Sequence, residues 1–211
     1  MFQYFTHFTL LIGIVPIIIF WVNKKKLNPE TYYFLPFIVL LTVSTIYEFV
    51  GTLLLRINVN YWFWIYLFLE FYALSYFFFK LSINKTLSWL FAGCYLLSYI
   101  VLTVLRDDSN DLLLDGYLST FSFVTFLSFS TLWFRNLFKN LSYSRLFDNN
   151  LFYFLVGIMV YFAGTIFLFI FSDIIYSGQK ENFPDFWMLN VLFSFIFRIL
   201  IIIGIWKSRI T

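Results

Sequence analysis

The stretch Trp62–Phe79, WFWIYLFLEFYALSYFFF, decides the fold. Its 18 residues carry one charge, Glu70, near the middle. A helix rising about 1.5 Å per residue makes it roughly 27 Å long, close to the thickness of a bilayer's hydrocarbon core. A carboxyl at that depth is costly unless it faces protein or water. The rest of the chain is therefore expected to surround Glu70 as a helical bundle.

Composition points the same way. The 211 residues are 62% hydrophobic, 26% aromatic and 12% charged, with mean hydropathy +0.85. Soluble domains carry roughly 25% charged residues, so half that share with this aromatic load implies lipid contact. A net charge of +3 without a basic run in a soluble fold argues against nucleic acid as a partner. The lone cysteine, Cys94, excludes an internal disulfide, and its apolar run predicts a buried, inert thiol. No basic segment precedes the first apolar run and Lys24–Lys26 follow it, the pattern of a retained membrane helix rather than a cleaved signal.

Working outward from Trp62, seven apolar runs can be read: Phe8–Val22, Tyr32–Leu55, Trp62–Phe79, Leu87–Leu105, Asp115–Phe134, Leu151–Ser172 and Phe186–Trp206. The expected fold is an all-α membrane protein, one seven-transmembrane-helix bundle spanning residues 1–211. Gly13 and Pro16 predict a kink in the first run. The connections are short and polar, and no repeat of 20–50 residues is present. Ten Lys and Arg residues (Lys24, Lys25, Lys26, Lys80, Lys85, Arg135, Lys139, Arg145, Lys207 and Arg209) fall on one side of this arrangement. Only Arg56, Arg106 and Lys180 fall on the other, which carries the acids Asp107, Asp108, Asp111, Asp115, Asp173, Glu181 and Asp185. The bias predicts an N-terminus outside and a C-terminus in the cytoplasm, in a multi-pass protein of the inner cell membrane. Tyr61, Trp62, Trp64, Trp133, Trp187 and Trp206 are expected to form an interfacial belt.

Three ionisable side chains lie within the runs: Glu48, Glu70 and Arg198. Helical rise puts them roughly 10, 12 and 16 Å from the outer ends of their spans, a similar layer in which opposite charges can pair. Residues at i, i+4 and i+8 share a helix face. The seventh run carries Asn190, Ser194 and Arg198 at that spacing, and the second carries Ser44, Glu48 and Thr52. The third adds Tyr66 one turn before Glu70, with Ala73 beyond; the sixth adds Gly157, Tyr161 and Thr165, with Gly164 allowing close approach. The candidate ligand-binding set is thus Glu48, Glu70, Arg198, Asn190, Ser194, Tyr66 and Tyr161. Helix packing alone is the competing reading of these stripes. The hydroxyls of the fifth run, Ser119 to Thr131, fit back-bonding to their own helix better than a conduction path.

Several chemistries lack their residues. His7 is the single histidine and is expected at the outer N-terminus, so a three-histidine zinc site cannot be assembled, a Ser–His dyad within the membrane is not expected, and no haem site is credible. The seventh run has no lysine for a retinal Schiff base, and Arg198 cannot serve because its guanidinium stays charged. No Walker loop, dinucleotide fingerprint or nucleophile elbow is present. No catalytic residue, metal or cofactor is implied, and the balance leans away from an enzyme.

Leu69-Glu70-Phe71, VYFAGTIFLFIFSD at Val160–Asp173 and ILIIIGIWKS at Ile199–Ser208 give the chain a resemblance to a family of small bacterial seven-helix integral membrane proteins, usually labelled hypothetical. The resemblance implies the seven-helix architecture and carries no catalytic residue with it.

The expected function is that of a receptor-like or ligand-binding membrane protein. It would hold a small or amphipathic molecule, a lipid included, in an outward-facing polar cavity, with Arg198 anchoring a carboxylate or phosphate. Signalling would pass to a cytoplasmic protein partner through the loop Arg135–Arg145. The alternatives are a proton- or cation-coupled transporter or channel using Glu70, and an oligomerising assembly factor or effector.

Overall fold

Long apolar runs leave the backbone no solvent to bond with in a membrane, and helices satisfy it internally. The computed structural model describes residues 2–55, 60–81, 84–107, 110–140, 146–178 and 183–209. Its helices are α1 (Phe2–Ile12), α2 (Val15–Asn23), α3 (Pro29–Tyr33), α4 (Leu35–Glu48), α5 (Asn60–Lys80), α6 (Lys85–Leu105), α7 (Asp111–Asn140), α8 (Asn150–Gly178) and α9 (Phe183–Lys207). Extended pairing among the described residues is confined to one antiparallel bridge, Leu27 with Arg209. Of the residues singled out above, Arg56, Asp108, Arg145, Lys180 and Glu181 lie outside the described residues, as do the side chains of Thr52 and Asp173.

Among the described residues, six stretches are long and apolar enough to cross a membrane: Tyr4–Lys26, Tyr61–Lys80, Lys85–Leu105, Asp111–Lys139, Asn150–Ser172 and Asp185–Lys207. The chain is a helical, multi-pass membrane protein. The first stretch breaks between α1 and α2, where the Gly13 N–H is shared by the carbonyls of Leu10 (2.9 Å) and Thr9 (3.2 Å). Pro16, in the first turn of α2, has no N–H to carry the ladder back across the break. The kink expected from Gly13 and Pro16 lies here.

The run Tyr32–Leu55 differs from expectation. Proline suits a first helical turn, and Pro29 and Pro36 open two separate helices, α3 and α4, with Phe34 between them. What remains is a shorter apolar helix, Leu35–Gly51. Its end widens into a π-helical turn, Phe49–Leu54, in which the Leu55 N–H donates to the Val50 carbonyl at 3.0 Å. Helix α7 also starts earlier and ends later than the run Asp115–Phe134, so Asp111 belongs to a helix rather than a loop.

Buried rings tie the helices together. At one end of the bundle Phe34 stacks on Phe154 (4.6 Å) and meets the edge of Phe77 (4.9 Å), joining α4, α5 and α8. There too the Asn150 amide donates to Thr31 Oγ1 at 3.0 Å. At the other end Tyr47 stacks on Trp62 (4.7 Å) and Phe63 on Phe169 (6.1 Å). Between the ends, Phe71 lies flat on Tyr95 (3.7 Å) and packs against Phe126 (5.2 Å). Helices α7 and α8 touch where Gly116 lies against the main-chain carbonyl of Phe169.

Helix α6 is the outermost, with Trp89, Leu90, Leu97, Ile100 and Val104 exposed. This corrects the reading of Cys94, which is exposed rather than buried. Its neighbour Tyr95 turns inward, and one residue along a helix turns the side chain by about 100°. Trp64 is the opposite correction. It is buried, with its Nε1 donating to Thr103 Oγ1 at 3.2 Å, and is no part of an interfacial belt.

Candidate functional site

Arg198 on α9 is 6% exposed. Its guanidinium donates through Nη1 to the main-chain carbonyl of Thr9, at the break between α1 and α2. Gly13 makes that approach possible: a Cβ there would sit 3.0 Å from Arg198 Nη1 and collide with Thr45 Oγ1. The kink in the first helix and the arginine of the last are therefore one feature. Glu48, Tyr66 and Tyr161 lie within electrostatic reach of Arg198.

Glu48 ends α4 just before the π-helical turn. It accepts from Ser44 Oγ at 3.2 Å, and Ser44 Oγ accepts from Trp62 Nε1 at 3.1 Å. The i, i+4 spacing of Ser44 and Glu48 is thus realised as a hydrogen bond. π-Turns inside α-helices are frequent at functional sites, and this one adjoins Glu48, a half-buried acid within a membrane-length bundle.

Glu70 on α5 is 4% exposed and accepts from the Tyr66 hydroxyl at 3.1 Å. Tyr66 in turn lies within electrostatic reach of Tyr161 and Arg198. Tyr161 on α8 stacks on Phe197 (5.3 Å) and lies within reach of Glu70, Arg198 and Glu48 alike. The three charges expected to meet are linked unequally. Glu48 feels Arg198 directly, whereas Glu70 is linked to Arg198 through Tyr66 and Tyr161, which feel both.

Asn190 and Ser194 are half-buried on the face of α9 that carries Arg198. Asn190 Oδ1, Arg198 Nε and Thr45 Oγ1 are buried and have no hydrogen-bond partner among the described residues. The fifth-run hydroxyls of Thr120, Ser122, Thr125, Ser128 and Thr131 donate to carbonyls one turn back, at 2.7–3.0 Å. Sequence reasoning missed Thr9, Gly13 in its packing role, Thr45 and Trp62. Only Gly13 left a signal, through its nearness to Pro16.

Two other features lie apart from these residues. Arg106 bridges Asp111 (2.8 Å) and Asp115 (3.0 Å) and covers the Trp64 ring at 4.1 Å, a closed set of contacts clamping the α6–α7 turn. A cleft of about 440 Å³ opens between α6 and α7, lined by Leu97, Val101, Leu102, Tyr117 and Phe121 on the outer surface. Among the described residues no three His, Cys, Asp or Glu side chains converge as a metal site would require. Comparison with protein-family models, with curated proteins and with solved structures finds no match.

Proposed function

We propose that the chain is a receptor-like or ligand-binding membrane protein whose buried polar groups hold a small or amphipathic molecule with an anionic group. One observation carries this reading. Among the described residues, Arg198 Nε and Thr45 Oγ1 are buried without hydrogen-bond partners where both approach Gly13, in the field of Glu48, Tyr66 and Tyr161, and Asn190 Oδ1, two turns (about 12 Å) earlier on α9, is buried without one as well. Each unsatisfied buried group costs about 1–3 kcal/mol, and a ligand offering both acceptors and donors would recover part of that cost. A guanidinium fork suits a carboxylate or phosphate, and Ser194 lies on the same helix face.

Seven crossings, N-terminus outside, is the topology we favour. Helix α4 runs from the level of Phe34 and Phe77 to that of Tyr47 and Trp62, alongside nearly the full length of α5. The lysines and arginines gathered at one end favour that end as cytoplasmic, in the inner membrane of a bacterial cell, and the resemblance to small bacterial seven-helix proteins agrees. Exposed Arg135 would then begin a basic surface for a cytoplasmic protein partner.

A second reading, proton-coupled transport, is favoured by one geometry: the Tyr66–Glu70 hydrogen bond with Tyr161 beside it forms a row of proton-exchanging groups. A single experiment separates the two. Purified protein in proteoliposomes is assayed for proton flux and, by mass spectrometry, for copurified small molecules, with Arg198→Lys and Glu70→Gln beside the wild type. A copurified anion reduced in Arg198→Lys, without flux, supports binding. Flux abolished by Glu70→Gln would replace it with transport.

A further inference from the structure

At the end of the bundle near Phe34, two basic segments from opposite ends of the sequence meet. The Asn28 N–H donates to the Ser208 carbonyl at 3.0 Å, and Leu27 pairs with Arg209 in the isolated bridge. Lys24, Lys25 and Lys26 are thereby held beside Lys207 and Arg209. Lys207 has Asp148 at 3.4 Å, but among the described residues Lys24, Lys25, Lys26 and Arg209 make no ion pair. Arg209 lies over the Trp206 ring (3.1 Å to its centre), with Nε and Nη2 shielded and without hydrogen-bond partners among the described residues. Lys24 lies over Trp21 at 4.7 Å.

Both tryptophans are exposed at the ends of membrane-length helices, where an amphipathic ring meets the headgroup region. Stacking on a ring holds a cation in place without neutralising it. Lys24, Lys25, Lys26 and Arg209, two of them held on rings, repel one another on this corner until an anion joins them. The exposed side chains Ile18 and Val22 flank Trp21 and give an acyl chain an apolar wall. Basic corners between transmembrane helices suit anionic headgroups for these reasons.

We propose that this corner binds the phosphate of an anionic phospholipid, with the exposed Lys24–Lys26 as its contacts and the stacked Arg209 as a fixed positive charge behind them. Detergent-solubilised full-length protein is titrated with phosphatidylglycerol, with phosphatidylcholine and with inorganic phosphate, and the unfolding temperature is followed. Phosphatidylglycerol should raise it saturably, and phosphatidylcholine should not. Each cation removed should weaken the apparent affinity about fivefold. Lys24→Gln/Lys25→Gln/Lys26→Gln should therefore lose more than tenfold, while Lys85→Gln at the same end keeps wild-type affinity. Arg209→Lys, which keeps the charge, should stay closer to wild type than Arg209→Gln. The triple-lysine variant changes exposed side chains only, so it stays informative where Arg209→Gln fails to fold. Equal response to both lipids, or wild-type affinity in the triple variant, would overturn the site. Stabilisation by inorganic phosphate alone at millimolar concentration would overturn the lipid as its source.

Discussion

The guanidinium of Arg198 in α9 is hydrogen-bonded to the main-chain carbonyl of Thr9 in α1, so a buried charge of the last helix closes the break in the first. The same side chain sits in the field of Glu48. Arg198→Gln therefore removes a partner from each. Leaving the Thr9 carbonyl without its donor and Glu48 without the cation that opposes its desolvation costs about 1–3 kcal/mol. Glu48→Gln in the same chain should recover part of that loss. Thermal unfolding of the two single variants and the double variant gives the coupling, expected above ~1 kcal/mol. Additive losses would mean that the two groups do not feel one another.

Gly116 offers a test of the α7–α8 contact. A methyl there would run into the Phe169 carbonyl, a main-chain atom that cannot rotate away, with the Phe169 carbonyl carbon 3.3 Å off. Gly116→Ala should destabilise by about 1–3 kcal/mol, as overpacking does. Gly93 is the control, since a methyl there meets nothing within 4 Å. Gly93→Ala should be neutral or stabilising by up to about 1 kcal/mol, the helix preference for alanine. Equal effects at the two positions would show that helix propensity, not packing, governs both.

How far the sequence could be read depended on the solvent. Apolar length marked the long helices because a membrane requires it, and Glu48, Glu70 and Arg198 stood out because charge is rare there. Lipid is as apolar as a protein core, however, so hydrophobicity no longer separates inside from outside. Cys94 and Trp64 were misplaced for that reason. The Thr9 carbonyl, as a main-chain group, has no signature in the sequence. The break at Phe34 did have one, in the paired prolines Pro29 and Pro36, but a continuous apolar run masked it.

The Tyr66–Glu70 hydrogen bond distinguishes two substitutions that look alike on paper. Tyr66→Phe removes the donor and leaves a buried carboxyl oxygen unsatisfied, at a cost of about 1–3 kcal/mol. Glu70→Gln keeps an acceptor oxygen for the hydroxyl and should cost less than half as much. Unfolding temperatures of both variants in the same detergent check the order. If Glu70→Gln proved the more damaging, the carboxylate would have a further partner that matters more than Tyr66.

Glu30 provides the pH test, since it lies in α3, between the α2 and α4 helices and outside the membrane-length stretches. Partial burial raises its carboxyl above the ordinary 4.5. The folded chain therefore binds this proton more tightly than the unfolded one. The stabilising contribution is complete below 4.5 and is lost as pH rises through the raised folded value. At neutral pH the ionised carboxylate is thus a liability. Glu30→Gln should unfold at a higher temperature than wild type at pH 7, and the gap should narrow as both are acidified toward pH ~4.5. Unfolding temperatures recorded across this range, at high salt to screen Lys24–Lys26, isolate the desolvation effect. A gap that keeps its size on acidification, or a variant less stable than wild type at pH 7, would mean that the ionised carboxylate has a favourable partner.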